Sequence, residues 1–244
     1  MARRRGTLDE PILDAATELF LQDGYAGTHM ARVAEAADVS LATLYRYFES
    51  KEELLDRAFR REAAKIESRW SDEGWVDPTD PDALLRYSIV IRGHMLDWAM
   101  GERALGLLLT MAETPGLLYR FLLDKVEVYE FWIGHSLATH IEDDRFVTAH
   151  AVMSATGLFS LMIRWARGQL KAGQPDLPRH VHESMPDAER TVHIPRSCDF
   201  TAEELADWYT ELRLRQYGFP EATIQDIMAE GRARDWAVLS KAPV

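Results

Sequence analysis

Thr28-His29-Met30-Ala31-Arg32-Val33-Ala34-Glu35-Ala36-Ala37-Asp38-Val39-Ser40-Leu41-Ala42-Thr43-Leu44-Tyr45-Arg46-Tyr47-Phe48-Glu49-Ser50-Lys51 holds two short helical runs with a tight turn between them. Thr28 is placed to cap the first run, 28–35, with Met30, Val33 and Ala34 turned inward. Ala37-Asp38-Val39 forms the turn, and Ser40 caps the second run, 41–48. Small Ala34 and Ala37 permit close helix packing, Val39 plugs the turn, and Leu44 and Phe48 face the core. That leaves Leu41, Ala42, Thr43, Tyr45, Arg46 and Tyr47 near the exposed face. Hydroxyls, a guanidinium and aromatic edges are the groups that read bases and grip phosphates. A packed helix pair with no outside partner has the same period. Against it stand three consecutive large, polar-tipped residues, Tyr45, Arg46 and Tyr47, which a closed core struggles to satisfy. Two helices joined this way form a helix-turn-helix, whose second helix fits a major groove.

Helical period extends both ways from this centre. Upstream, Ile12, Ala16, Leu19 and Phe20 share one helix face, and Gly24 supplies a stop. Downstream, Ser50-Lys51-Glu52-Glu53 is a capping box opening a helix to about Trp70, with Leu54, Leu55, Ala58, Phe59 and Ile66 apolar. Residues 74–81 read as a break, and helices are expected at about 81–100, 102–113, 115–141 and 144–170. Four prolines between 171 and 200 read as a long loop. Thr201-Ala202-Glu203-Glu204 is a second capping box, and Gly218 with Pro220 divides the last two helices. The expected architecture is all-α. A three-helix head (1–52) is joined to a larger helical body (53–244).

Composition agrees with a globular chain: 47% apolar and 28% charged residues exclude collagen-like and wholly disordered classes. The lone Cys198 cannot form an intrachain disulfide, which fits a reducing compartment. Arg3-Arg4-Arg5 is followed by no apolar signal segment, so a cytoplasmic location is expected. Residues 146–163 carry no Asp, Glu, Lys or Arg but are short and dotted with Thr, His and Ser, so a buried or subunit-facing helix is expected there, not a membrane span. The net charge of −12 argues against a nonspecific nucleic-acid coat. It is uneven, however: residues 1–69 hold 11 Lys/Arg and 13 Asp/Glu, so a near-neutral head can present its cations locally.

The pattern Gly24-Tyr25, Thr28, Val33-Ala34, Ala37-Asp38-Val39-Ser40, Thr43-Leu44-Tyr45-Arg46-Tyr47-Phe48 and Ser50-Lys51-Glu52-Glu53-Leu54-Leu55 resembles the tetracycline-repressor (TetR) family of bacterial regulators over roughly residues 8–60. The resemblance implies a DNA-binding transcriptional regulator, and most often a repressor released from a palindromic operator by a small apolar or aromatic ligand. A ligand-dependent activator and a co-repressed regulator are the alternatives within the family. The resemblance places Thr28 and Lys51 on phosphates, and Ser40, Leu41, Ala42 and Thr43 near base edges. It places Tyr45 and Tyr47 on phosphates or a thymine methyl, and Arg46 on guanine or phosphate. Asp38 stands where the family usually has glycine, Ala31 replaces a commonly polar residue, and Leu41 cannot hydrogen-bond.

In the body, His94, Met95, Trp98, Met111, Tyr119, Tyr129, Trp132, His135, Phe159, Met162 and Trp165 form stripes that suit an apolar chamber with a few polar handles. Ordinary core has the same spacing. Ala151, Ser154, Ala155, Gly157 and Ser160 are small enough for another helix to approach, which fits a subunit contact. A homodimer is expected because one recognition helix contacts too few bases for useful specificity. His180, His182, Glu183 and His193 match no closed zinc site, so neither metal nor cofactor is expected. An enzyme on a helical bundle would need clustered nucleophiles, acids or metal ligands, and the sequence offers no Glu-x-x-His pair, no Gly-rich phosphate loop and no serine elbow.

Overall fold

The computed structural model describes residues 8–70, 83–136, 144–167 and 201–233. These fold into ten helices: α1 Asp9–Gly27, α2 Met30–Ala36, α3 Leu41–Tyr47, α4 Lys51–Trp70, α5 Ala83–Met100, α6 Glu102–Met111, α7 Pro115–Ser136, α8 Asp144–Ala166, α9 Ala202–Gln216 and α10 Glu221–Ala233. There is no strand among the described residues, as the helical period requires. The expected loop at 171–200, with His180, His182, Glu183, His193 and Cys198, lies outside them. So do the arginines at 3–5 and the break at 74–81.

Helix α1 buries Ile12, Leu13, Ala16, Leu19 and Phe20, the face its period predicts. Gly24 breaks the helical geometry at φ +69, which a residue without Cβ adopts at little cost, and a last turn then runs to Gly27. This kink alters the role expected of Thr28. The side chain is buried, and its hydroxyl donates to the carbonyls of Gly24 (2.8 Å) and Leu19 (3.1 Å). The cap position of α2 falls to His29, which makes no side-chain cap bond.

The capping of α4 also differs in detail. Ser50 Oγ accepts from the Glu53 amide (3.1 Å), but Glu53 returns to the Glu49 amide (2.7 Å), one residue beyond a standard box. At α9 both arms of the box are present between Thr201 and Glu204. Gly218, at φ +81, ends α9 in a Schellman turn: Gly218 N–H donates to Arg215 O and Phe219 N–H to Leu214 O.

Helix α4 is the spine. Leu54, Leu55, Ala58 and Phe59 on its first half and Ala63 and Ile66 on its second are all buried in one continuous core. That core runs from Ile12 in α1 to Tyr209 in α9, through α6, α7 and α8. Each large side chain so buried contributes about 1.5–3 kcal/mol. Helix α1 packs on both α4 and α6. At its crossing with α6, a Cβ on Gly106 would lie 2.4 Å from Leu21 Cδ2, so the missing side chain lets the helices approach.

An ion cluster ties the same three helices. Glu62, 4% exposed, accepts from Lys65 (2.9 Å) and Arg61 (3.2 Å), with Arg103 of α6 at 3.6 Å. Arg61 also reaches Glu10 and Asp14 of α1.

In the body, α7 lies along α8, and α5 packs against α9 and α10. The stripe of small residues on α8 divides, contrary to expectation. Ala151, Ser154 and Ala155 are buried within the chain, where Tyr209 of α9 donates its hydroxyl to Ser154 O (3.2 Å). Only Gly157 and Ser160 stay exposed, beside Val152 and Met153. The side chain of Arg213 of α9 reaches the same helix, donating to His150 O at 3.3 Å.

Candidate nucleic-acid interface

The turn between α2 and α3 is set by backbone bonds, a serine cap and two buried anchors. Asp38 adopts φ +52; its N–H donates to Glu35 O (3.1 Å) and that of Val39 to Ala34 O (2.9 Å). These two bonds make a Schellman turn, with a short polar residue tolerating the left-handed position glycine would normally take. Ser40 then caps α3, its Oγ accepting from the Thr43 amide at 3.0 Å and lying 2.8 Å from the Thr43 hydroxyl. Leu44 and Phe48 anchor α3 to the core with no exposed surface.

This anchoring decides what α3 presents. Leu41 (42% exposed), Ala42, Tyr45 (48%) and Arg46 face outward. Thr43 and Tyr47 are half-buried, and Tyr47 packs against the core cluster. The Arg46 guanidinium stacks over the Tyr47 ring at 5.6 Å.

Lys51 is built into the head. Its Nζ donates to Tyr25 O (2.7 Å) and Thr28 O (3.0 Å) and sits 4.1 Å from the centre of the Tyr25 ring. An ammonium has three N–H donors, so two bonds to carbonyls leave one for a phosphate. The Tyr25 hydroxyl in turn donates to Glu52. Burial, then the bond and charge of Glu52, push the Tyr25 phenol up to about 12, while the Tyr25 bond holds Glu52 below the usual carboxylate range. This staple fixes the start of α4 beneath the α1–α2 turn.

In the body, three edge-to-face contacts and one tilted contact join four buried rings. Trp98 lies 5.2 Å from Phe159 and 6.0 Å from Phe59, and Phe121 lies 4.8 Å from both phenylalanines. The Trp98 indole N–H donates to His94 Nε2 (3.0 Å). Met95, Met111 and Met162 are buried in the same core, with Tyr129 and Trp165 half-buried against it. Tyr119 points out, 63% exposed. The side chains of Trp132 and His135 lie outside those described. Phe59 and Phe121 were not among the residues expected to line a chamber. The signal for Phe121 was its place four residues after buried Leu117 on α7.

Among the described residues there is no group of His, Cys, Asp and Glu arranged for a metal, and no helix long and apolar enough to cross a membrane.

Known proteins match this arrangement. The family model for bacterial regulatory proteins of the tetR family matches residues 12–58, which run from α1 into α4. The HTH-type transcriptional repressor KstR of Rhodococcus jostii is 52% identical over 69 residues, covering 28% of this chain and 32% of that protein. The chain thus spans about a third of that relative's length. The HTH-type transcriptional regulator TcmR of Streptomyces glaucescens is 32% identical over 167 residues, covering 63% of this chain and 70% of its own. The solved structure of the fatty acid degradation regulator FadR from Bacillus halodurans shares the fold, at a TM-score of 0.57 and 16% identity over 87% of this chain and 97% of that one. An identity spread over 167 residues and 70% of TcmR is far longer than a DNA-binding motif: the chain belongs to the tetR family of bacterial regulatory proteins.

Proposed function

We propose that this chain is a DNA-binding transcriptional repressor, released from a palindromic operator when a small apolar or aromatic molecule enters the body. The observation that carries the reading is the face of α3: Leu41, Ala42, Tyr45 and Arg46 stand out from a helix held by a Schellman turn, a serine cap and two fully buried anchors. Ser40, Thr43 and Tyr47 border that face, and the third N–H of Lys51 reaches phosphate from the start of α4. Thr28 holds the α1–α2 turn from within, since its hydroxyl is bonded inside the head.

The effector site lies among α4, α5, α6, α7 and α8, where His94, Met95, Trp98, Met111, Phe159 and Met162 meet Phe59 and Phe121. Tyr129 and Trp165 border it, and Trp132 follows on α7. Phe59 belongs to α4, so displacing the ring lattice moves the helix that carries the head. A hundredfold loss of operator affinity requires about 2.7 kcal/mol of coupling, within the usual allosteric range. Two copies pair through the outer face of α8, where Val152 and Met153 are exposed beside Gly157 and Ser160, and set two recognition helices on one side of a duplex.

Selection from random duplexes with purified protein tests the reading. The expected result is an enriched inverted repeat, lost with Tyr45→Ala, whose exposed side chain can be removed without touching the core. Equal recovery of all sequences by the folded protein would refute it.

A further inference from the structure

We infer that the operator half-site is read through thymine methyl groups, with Leu41 as the residue that discriminates; this rests on the DNA-binding reading above. Leu41 and Tyr45 stand just over one turn apart on the outward side of α3, and exposed Ala42 lies beside them, a little under one turn before Tyr45. The two hydroxyls beside them are paired within the chain. The Ser40 and Thr43 hydroxyls lie against each other at 2.8 Å, and Ser40 also accepts from the Thr43 amide. The Arg46 guanidinium is drawn over the Tyr47 ring. What α3 offers outward is an isobutyl group, a methyl and a phenol, with the Arg46 guanidinium to one side over the Tyr47 ring.

In the major groove every base-pair edge is a pattern of hydrogen-bond donors and acceptors, except where the C5-methyl of thymine stands out as an apolar group. An exposed leucine placed over any other edge would bury polar atoms it cannot satisfy. Over a thymine it buries one methyl against another. The same chemistry accepts 5-methylcytosine, which carries its methyl at the equivalent position.

The test uses the half-site recovered by selection. Each thymine is replaced singly by deoxyuridine, which removes the methyl and leaves base pairing unchanged, and affinity is read by fluorescence anisotropy. At one or two positions the wild-type protein loses about three- to fivefold in affinity, the worth of burying one methyl-sized group. Leu41→Ala, with an unchanged melting curve, binds the thymine and uracil duplexes equally there. At those positions a 5-methylcytosine·guanine pair is bound more tightly than cytosine·guanine. Uracil duplexes all bound within twofold of the parent, or a loss that persists in full with Leu41→Ala, overturns the inference while leaving DNA binding intact. Failure to bind any duplex appears before a base is exchanged, and removes the DNA-binding reading itself.

Discussion

Replacing Lys51 with methionine separates two roles that one cation can hold. The substitution keeps the aliphatic stem over Tyr25 and removes the ammonium that bonds Tyr25 O at 2.7 Å and Thr28 O at 3.0 Å. Charge-assisted hydrogen bonds contribute about 1.5–3 kcal/mol each. Both carbonyls are only part-buried and regain some water, so the expected loss is about 2–3 kcal/mol in all. An ordinary surface substitution stays within about 0.5 kcal/mol. Urea denaturation followed by circular dichroism reads the difference, as a fall of roughly 1 M in the midpoint at an unchanged slope. The same variant is titrated with operator duplex at several salt concentrations. If the third N–H meets a phosphate, the salt slope falls by about 0.9 for each protomer bound. Stability within about 0.5 kcal/mol of wild type would refute the staple, because a cation used only on DNA leaves the free protein untouched.

Phe159→Ala removes a buried ring from between Trp98 and Phe121 and costs about 3–5 kcal/mol, seen by calorimetry as a melting point lowered by about 6 °C or more. A drop under about 3 °C would mean that the rings are not close-packed. Tyr25 favours the neutral phenol, chiefly through burial, so its contribution to stability is complete below pH 10 and disappears as the pH rises through about 12. The difference in tyrosinate absorbance between wild type and Tyr25→Phe should show one phenol ionising near 12, and a midpoint near 10 contradicts the staple. Asp38→Val forces a branched side chain into φ +52 and should cost about 1–2 kcal/mol in urea, whereas Asp38→Asn stays within about 0.5. Equal stability of the two variants would show that the turn relaxes.

The helix-turn-helix was legible because its determinants are local. Asp38, Val39, Ser40 and Leu44 define turn, plug, cap and anchor within seven residues, and each takes the place its chemistry predicts. Thr28 was misread for the opposite reason. A threonine before a helical run looks like a cap, and only the Gly24 kink brings it back over the carbonyls of α1. Lys51 looked like a cation awaiting phosphate, since its carbonyl partners lie 26 and 23 residues away in sequence.

The small residues of α8 contained a clue that went unused. Ala151, Ser154 and Ala155 share a helical face with Leu158, Phe159 and Met162, so a core-facing Phe159 already places them inside. That Tyr209 of α9 bonds Ser154 O is a matter of tertiary packing, which no spacing names.

The unbroken core along α4 limits how this molecule can be recombined. A head cut out at residue 52 would leave behind Leu54, Leu55 and Ala58, and would lose α6, the floor on which α1 rests at Gly106. A transplant onto another member's body must carry α4 at least to Ile66 and meet a small residue opposite Leu21. Arg103 or an equivalent cation must also face Glu62 across the seam. The helix-turn-helix and the helices behind it are thus not interchangeable parts: new combinations have to be made by substitutions on either side of a joint that is itself held fixed.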